Sequence, residues 1–295
     1  MSRSVVTIVS CFYPIKKSKH GIGEYYKWMF HFLTNATKPI IMFGEKESIN
    51  IMQEMRKIVG KNDGILFIEK PFIQCEFSTP EWIEKWNRQV PLSDHKDLHC
   101  QELFRVWANK SFFVQEAIER NPFGSEYFMW CDSGCWRDFF AAQICCPEWP
   151  LVEKIVPNKM QFLTINSAKP MLEQLASRSH WTQRELIREI RTSNKNCLSG
   201  SMFCGSVTAW KEWIPAYKRT LELFLEEDFF AGDDQHVMLS AALWLRHTLP
   251  EDQKPAFFAA PPHAPFIKIG ENTIGNVWFA FHEHFSRIPF KLEMY

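Results

Sequence analysis

The sequence lacks the long apolar run that a membrane-spanning helix needs. No segment approaches about 18 consecutive apolar residues, and residues 5–9 are too short for the apolar region of a signal peptide. A net charge is also absent, because 34 basic side chains balance 34 acidic ones. Nucleic-acid binders usually carry a basic excess. We therefore expect a soluble, cytoplasmic protein with no membrane-spanning segment and no nucleic-acid partner.

The cysteines do not form a recognisable disulfide or zinc motif. There are nine of them, with no C-x-x-C spacing, so an even disulfide framework is not indicated. Cys131 and Cys135 lie close together, but a structural zinc ion there would lack two of its four ligands. Without a secretion signal we expect reduced, mostly buried thiols.

The chain is long enough for a large core. A protein of 295 residues can bury roughly three quarters of the surface of its unfolded chain. Aromatic side chains make up 15% of it, and we assign most of this excess to the core, although flat rings also line sites for sugars and bases. No internal repeat or low-complexity linker is present, so we expect a single domain over residues 1–295.

The first part of the chain alternates strand and helix patterns. A β-branched run over residues 5–12 is typical of a strand buried on both faces. A helical stripe at residues 24–33, a strand at 39–43, a helix near 48–59 and a strand at 65–68 follow. This order predicts an α/β fold with a Rossmann-like, mainly parallel sheet flanked by helices.

A basic loop with two glycines follows the first predicted strand. It spans residues 16–23 and contains Lys16, Lys19 and His20. Ligands of parallel sheets bind beyond the carboxyl ends of the strands, so backbone N–H groups and lysines here could hold a diphosphate. The spacing matches no established phosphate-binding motif, and a solvated surface loop explains it equally well.

One lysine interrupts the apolar stripe of a long amphipathic helix predicted over residues 102–120. Lys110 follows Trp107 by three positions and precedes Val114 by four, so it lies on the core-facing side. A lysine at such a position either extends its ammonium to the surface or points into a cleft.

An acid ends the strand predicted over residues 127–131. Asp132 is followed by Ser133 and Gly134, at the edge where the sheet's ligand would lie. Its carboxylate could hold a hard cation such as Mg²⁺ or Mn²⁺, or a ribose hydroxyl. The alternative is a simple turn at the end of the strand.

Two further groups of polar residues lie in the second half of the chain. Asp233 and Asp234 precede an apolar helix predicted over residues 237–245. They either cap that helix or provide a general base or a contact to a substrate hydroxyl. Residues 277–284 are predicted as an aromatic strand that places His282 and His284 on one face, as a metal or phosphate site or as surface histidines.

Taken in order, these motifs resemble the nucleotide-sugar glycosyltransferases of the A-type fold, and specifically the HtrL/YibB family. The residues that carry the resemblance are 5–13, 107–110 with 116–117, 121–123, 130–134, 199–205 and 232–235.

The resemblance implies an A-type glycosyltransferase fold in one domain, and transfer of a hexose or pentose from a nucleoside diphosphate sugar to a glycan hydroxyl. It also implies a nucleotide-sugar-binding half at residues 1–134 and an acceptor-binding half at residues 135–295. The implied donor-binding residues are Tyr13, Lys16, Lys19, His20, Lys110, Asp132, Ser133 and Gly134. The implied acceptor-binding residues are Gly200, Ser201, Gly205 and Gln235.

The metal site that the resemblance implies is incomplete in this sequence. A-type enzymes bind Mn²⁺ or Mg²⁺ through an Asp-x-Asp motif, whereas here Asp132 is followed by Ser133 and Gly134. Either Asp132 holds Mn²⁺ or Mg²⁺ with help from elsewhere, with His282 as a candidate, or lysines replace the metal. The leaving diphosphate needs positive charge in either case.

The resemblance further suggests that Asp233 and Asp234 lie near the reacting carbon of the sugar. In inverting enzymes a carboxylate there deprotonates the acceptor hydroxyl. We favour Asp234, because the residue nearer the buried helix is better fixed. A retaining transferase, a nucleotidyltransferase and a non-catalytic carbohydrate- or protein-binding module on the same fold remain as alternatives.

Overall fold

A mixed β-sheet of eight strands forms the centre of the protein in the part of the chain that the structure describes. The computed structural model describes residues 5–60, 63–165, 169–177, 180–193, 198–259, 267–289 and 292–294. Its strands are β1 (Val6–Phe12), β2 (Ile40–Gly44), β3 (Ile65–Glu69), β4 (Tyr127–Cys131), β5 (Gln161–Thr164), β6 (Leu198–Ser206), β7 (Ala256–Ala259), β8 (Ile267–Ile269), β9 (Asn272–Ile274) and β10 (Glu293–Met294).

Helices cover both faces of this sheet. They are α1 (Ile22–Asn35), α2 (Lys46–Ile58), α3 (Pro80–Gln89), α4 (Gln101–Arg120), α5 (Phe139–Cys145), α6 (Lys169–Ala176), α7 (Gln183–Ser193), α8 (Val207–Glu226), α9 (Asp234–Thr248) and α10 (Phe281–His284). Short 3-10 helices lie at Phe72–Gln74, Glu76–Ser78, Val90–Leu92, Val152–Lys154 and Val277–Phe279.

The strand order in the sheet is β10-β7-β5-β6-β4-β1-β2-β3, and β8 and β9 form a separate hairpin. Strands β3, β2, β1 and β4 are mutually parallel, and β6 and β10 run against the others. Parallel neighbours need crossover connections, which α1 and α2 provide between the first three strands. The predicted α/β class, with a mainly parallel sheet flanked by helices, is confirmed.

The two faces of the sheet carry separate hydrophobic cores. Trp130 and Phe203 point to the side covered by α4, α8 and α9, and Met129 and Met202 point to the side covered by α1 and α5. All residues of β1 and β2 are buried, as expected for strands covered on both faces. Much of the aromatic excess fills these cores: the largest fully buried side chains include Trp86, Trp130, Trp136, Trp149, Trp210 and Trp213.

Two smaller expectations can be compared with the described residues. The eight cysteines among them are free, and all except Cys100 are buried, which agrees with the expectation of mostly buried thiols. None of the helices found in the described ranges is both long enough and apolar enough to cross a membrane.

The aromatic segment near the end of the chain is helical, so its prediction as a strand is wrong. It forms the 3-10 helix Val277–Phe279 and then α10. A nearly uniform apolar run has no period that separates a buried strand from a buried helix, and contacts with the rest of the fold decide between them. The shared strand face predicted for His282 and His284 therefore does not exist.

Arg56 ties the end of α1 to the turn before β3. Its side chain is buried on α2, and its guanidinium donates hydrogen bonds to the carbonyl oxygens of Leu33, Ala36 and Asp63 at 2.7, 3.1 and 3.0 Å. The carbonyls of Leu33 and Ala36 lie at the C-terminal end of α1, where no further turn can satisfy them, and that of Asp63 lies in the turn before β3.

Replacing this arginine tests how much the contact stabilises the parallel half of the sheet. We expect Arg56→Met to lower the free energy of unfolding by about 2–4 kcal/mol, because buried carbonyl oxygens lose their donors. Urea unfolding measures the difference. Lys57→Met is the control, since the neighbouring Lys57 is exposed and pairs with Glu54. Equal stabilities of the two variants would contradict this account.

Candidate functional site

A cleft of about 410 Å³ opens beyond the carboxyl ends of β1 and β4. Phe12 and Tyr13, at the end of β1, form part of its lining, and so does the loop from Asp132 to Cys135 that follows β4. The topology accounts for this position, because ligand clefts of open parallel sheets form at this edge.

The cleft collects most of the residues that the sequence proposes for donor binding. Its lining includes Tyr13, Lys19, His20, Lys110, Asp132, Ser133 and Gly134. Lys16 is the exception: it is exposed in the same loop and does not line the cleft. Tyr13 contributes from within the core, since its ring stacks on Phe72 and Phe113 and its hydroxyl donates to the carbonyl oxygen of Lys70 at 3.0 Å.

Several lining residues were missed by sequence reasoning. They are Tyr25 on α1, His95, His99, Trp107 on α4, Arg137 and Phe279. Tyr25 and Trp107 stand on apolar helix stripes that the sequence assigns to the core. For Arg137 a signal existed, because it follows Asp132 by five residues in the same strand-end segment.

Lys110 points into the protein beside the cleft and does not extend to the surface. Its side chain is only 5% exposed, and its ammonium nitrogen lies 2.8 Å from Asp234 Oδ2, 2.8 Å from the Gly200 carbonyl oxygen and 3.2 Å from Asp132 Oδ1. A lysine ammonium has three N–H donors. Two of them donate hydrogen bonds, to the Gly200 carbonyl oxygen at 2.8 Å and to Asp132 Oδ2 at 3.4 Å, and Asp234 forms an ion pair with the ammonium.

The charges of this group shift the pKa values of its members. Burial lowers the pKa of Lys110, but the charges of Asp132 and Asp234 outweigh burial and hold that pKa above its usual value. Burial raises the pKa of Asp234 to about 6, and the Lys110 charge opposes this shift. The lysine is accordingly charged at neutral pH, and it partly neutralises two carboxylates.

Gly200 leaves the space that the Asp234 carboxylate fills. A Cβ atom at Gly200 would lie 2.7 Å from Asp234 Oδ2 and 2.9 Å from Oδ1, closer than side-chain atoms approach a carbon. A glycine at position 200 on β6 is therefore needed for the Asp234 carboxylate to lie beside Lys110. Gly205 has another neighbour, since a Cβ there would lie 2.6 Å from Met160 Sδ, and neither glycine lines the cleft.

Ser201 and the tail of the chain support the loop that carries Asp132. The Asp132 amide donates to the Ser201 carbonyl oxygen at 2.9 Å. The hydroxyls of Ser199 and Ser201 both donate to the carbonyl oxygen of Trp278, at 2.8 and 2.9 Å. The segment around Trp278 therefore contacts β6, and β6 in turn contacts the residue that follows β4. Ser201 itself does not line the cleft.

Asp233 and Asp234 have different surroundings at the start of α9. Asp233 is the N-cap residue, and its Oδ1 accepts a hydrogen bond from the Gln235 amide at 3.0 Å. Capping, one of the two roles that the sequence left open, describes Asp233. Asp234 is the first residue of the helix and turns inward to Lys110. The structure places Gln235 beside the cap and not in the cleft.

The residues around Asp132 do not fit the divalent cation that the resemblance implies. Asp132 Oδ1 accepts from Trp130 Nε1 at 2.7 Å and lies 3.2 Å from the Lys110 ammonium, so a metal ion there would meet a fixed positive charge. A hard cation also needs about six oxygen ligands. Among the described side chains, no group of three or more His, Cys, Asp or Glu could hold a metal.

His282, the other candidate ligand, is packed in the core and does not line the cleft. Its ring stacks on Trp136 with a centroid distance of 3.5 Å. Burial lowers its pKa to about 3, so the ring is neutral. His282 is therefore a core residue that packs against tryptophan rings. It is neither a metal ligand in the cleft nor a surface histidine.

No protein-family profile matches the sequence, and no curated protein sequence matches it. Among solved structures, the chain is similar to the crystal structure of core-mannan synthase A from Aspergillus fumigatus in its Mn/GDP form. The sequence identity is 11% and the TM-score is 0.45, over 96% of this chain and 85% of that chain. The resemblance to the HtrL/YibB family stays a prediction.

Removing the lysine tests whether it stabilises the two carboxylates. We expect Lys110→Met to lower the free energy of unfolding at pH 7 by about 3–5 kcal/mol, because two acids lose their counter-charge. The double variant Lys110→Met/Asp234→Asn should regain part of this loss. Urea unfolding provides the values, with Lys57→Met as control, because Lys57 is exposed. A single variant within 1 kcal/mol of the wild type, on the scale of a surface ion pair, would contradict the assignment.

Proposed function

We propose that this protein is a glycosyltransferase that moves a sugar from a nucleoside diphosphate sugar to a glycan hydroxyl. The observation that carries the proposal is the cleft itself: Asp132 stands at the end of β4, and the cations Lys19 and Arg137 line the same space. Its volume, about 410 Å³, lies within the range of small-molecule sites.

Each part of such a donor has a chemical counterpart in the lining. The Asp132 side chain is 35% exposed, so its carboxylate can accept hydrogen bonds from ribose or sugar hydroxyls. The rings of Tyr25 and Trp107 offer partly exposed flat surfaces to a base or a sugar. The lysine and arginine side chains supply positive charge for a diphosphate.

We further propose that Asp234 is the general base of an inverting transfer. Its pKa, raised by burial to about 6, lies near the range in which a base works efficiently at neutral pH. Lys110 lies between Asp234 and Asp132. Asp234 is buried and, like Gly200 and Ser201, which are predicted for acceptor binding, it does not line the cleft. The acceptor hydroxyl therefore reaches it only after the ion pair with Lys110 opens.

Nucleotide binding tests the proposed donor class. We expect one of ADP, CDP, GDP or UDP, or its sugar conjugates, to raise the melting temperature. A ligand at 100 times its Kd adds about 2.7 kcal/mol, which for a chain of this size is a shift of several degrees. Each ligand is measured with Mn²⁺ and with EDTA. If none of them stabilises the protein under either condition, the proposal fails.

The base assignment predicts a pH dependence. The carboxylate must be ionised to take a proton, so the transfer rate should rise with pH through about 6 and then level off. Asp234→Asn should lower kcat by roughly 10²–10⁴ and abolish the rise of the rate with pH. Donor affinity should be retained. Asp228→Asn is the control, because Asp228 is exposed with φ 54°, a conformation that asparagine tolerates. Full activity of Asp234→Asn would contradict the assignment.

A non-catalytic carbohydrate-binding module is the second candidate. One observation favours it: Lys110 already pairs with both Asp132 and Asp234, which leaves neither acid free of a counter-charge. Such a module would bind a nucleotide sugar or a glycan and release it unchanged. Donor consumption in the presence of mixed glycans separates the two candidates, and the anomeric configuration of the product separates inversion from retention.

A further inference from the structure

Arg137 is a cation in the lining of the cleft that contacts aromatic rings. It lies in the segment between β4 and α5, and its side chain is exposed. The guanidinium carbon is 4.6 Å from the ring centroid of Trp28 and 5.0 Å from that of Phe279. None of the ion pairs among the described residues includes Arg137.

The aromatic contacts fix this guanidinium without neutralising it. Stacking on aromatic faces restricts an arginine side chain and leaves its N–H donors free. Phe279 lines the cleft together with Arg137. The charge also acts on His20 in the same lining, because burial, followed by the charge of Arg137, lowers the pKa of that histidine. Arg137 is therefore held beside the basic loop with its donors available to a ligand.

Lys110, which the sequence offered as a substitute for a metal, does not have this freedom. Its buried ammonium donates to Gly200 and Asp132 and forms an ion pair with Asp234. The remaining lysine of the lining is Lys19, which is exposed in the loop after β1. Arg137 and Lys19 thus bring free positive charge to the cleft from two different strand ends.

We propose that Arg137, assisted by Lys19, binds the diphosphate of the donor and takes the place of a divalent cation. The inference rests on the proposed function and deepens it. A guanidinium binds phosphate oxygens through two parallel hydrogen bonds, and the donor set around Asp132 does not fit a metal. Nucleotide binding by this protein is then independent of Mn²⁺ and Mg²⁺.

The same contact serves the transfer step. The acceptor oxygen forms a bond to the anomeric carbon, and the bond from that carbon to the diphosphate oxygen breaks. The electron pair of this bond stays on the leaving diphosphate, whose added negative charge Arg137 and Lys19 stabilise. The proton of the acceptor hydroxyl goes to Asp234. No co-reactant is required beyond the donor and the acceptor.

Calorimetric titration of the full chain tests the inference. ADP, CDP, GDP and UDP, and the four matching monophosphates, are titrated in EDTA and again in Mn²⁺. For the diphosphate that binds, we expect the same Kd in both buffers. Arg137→Gln should weaken that diphosphate roughly tenfold or more and the monophosphate less, and Arg137→Lys should lie between Arg137→Gln and the wild type.

Controls separate a lost contact from a damaged fold. Arg88→Gln removes an exposed arginine that pairs with Glu84 on α3, and it should bind like the wild type. Lys19→Gln gives a second, independent test, because it removes a loop charge without touching Trp28 or Phe279. Melting temperatures of all four variants should match that of the wild type, since the substituted side chains are exposed.

The outcomes distinguish this inference from the proposed function. A diphosphate that binds only with Mn²⁺, with equal affinity in Arg137→Gln and the wild type, overturns the role of Arg137 and leaves the glycosyltransferase proposal standing. Absence of binding by every nucleotide and nucleotide sugar in both buffers overturns the proposed function, and the inference with it. Metal-independent binding weakened by Arg137→Gln supports both.

Discussion

The candidate site depends on one buried ammonium group. Lys110 joins the middle of α4 to Asp132 after β4, to Gly200 in β6 and to Asp234 at the start of α9. A buried charge is tolerated only when it is paired and hydrogen-bonded. The four segments therefore have to meet at this point, and their meeting fixes the Asp132 carboxylate at the edge of the cleft.

This arrangement decides where the positive charge for an anionic ligand comes from. An acid at the end of a parallel strand predicts a metal site when the sequence is considered alone. In the structure the counter-charge of Asp132 is a lysine from a neighbouring helix. The free cations of the cleft are then Lys19 and Arg137, which lie after β1 and after β4. Electrostatic stabilisation of a leaving diphosphate needs such charges, whatever their chemical type.

The end of the chain completes the site from the other side. The Trp278 carbonyl oxygen accepts from Ser199 and Ser201, and Ser201 in turn accepts from the Asp132 amide. Phe279, the next residue, lines the cleft against Arg137. A segment more than 140 residues after Asp132 in the sequence thus shapes the same wall.

The sequence by itself determined the α/β class, the first four strands with the helices between them, and an acid at a strand end. Hydrophobic periodicity is a local property, and strand-end positions follow from it. Only the tertiary structure decided that the aromatic segment before His282 is helical, that Lys110 points inward, and that Arg137 forms no ion pair with the residues that the structure describes. Each of these depends on partners far away in the chain, such as Gly200, 90 residues after Lys110. Packing and pairing of charges between such distant residues leave no periodic signal in the sequence.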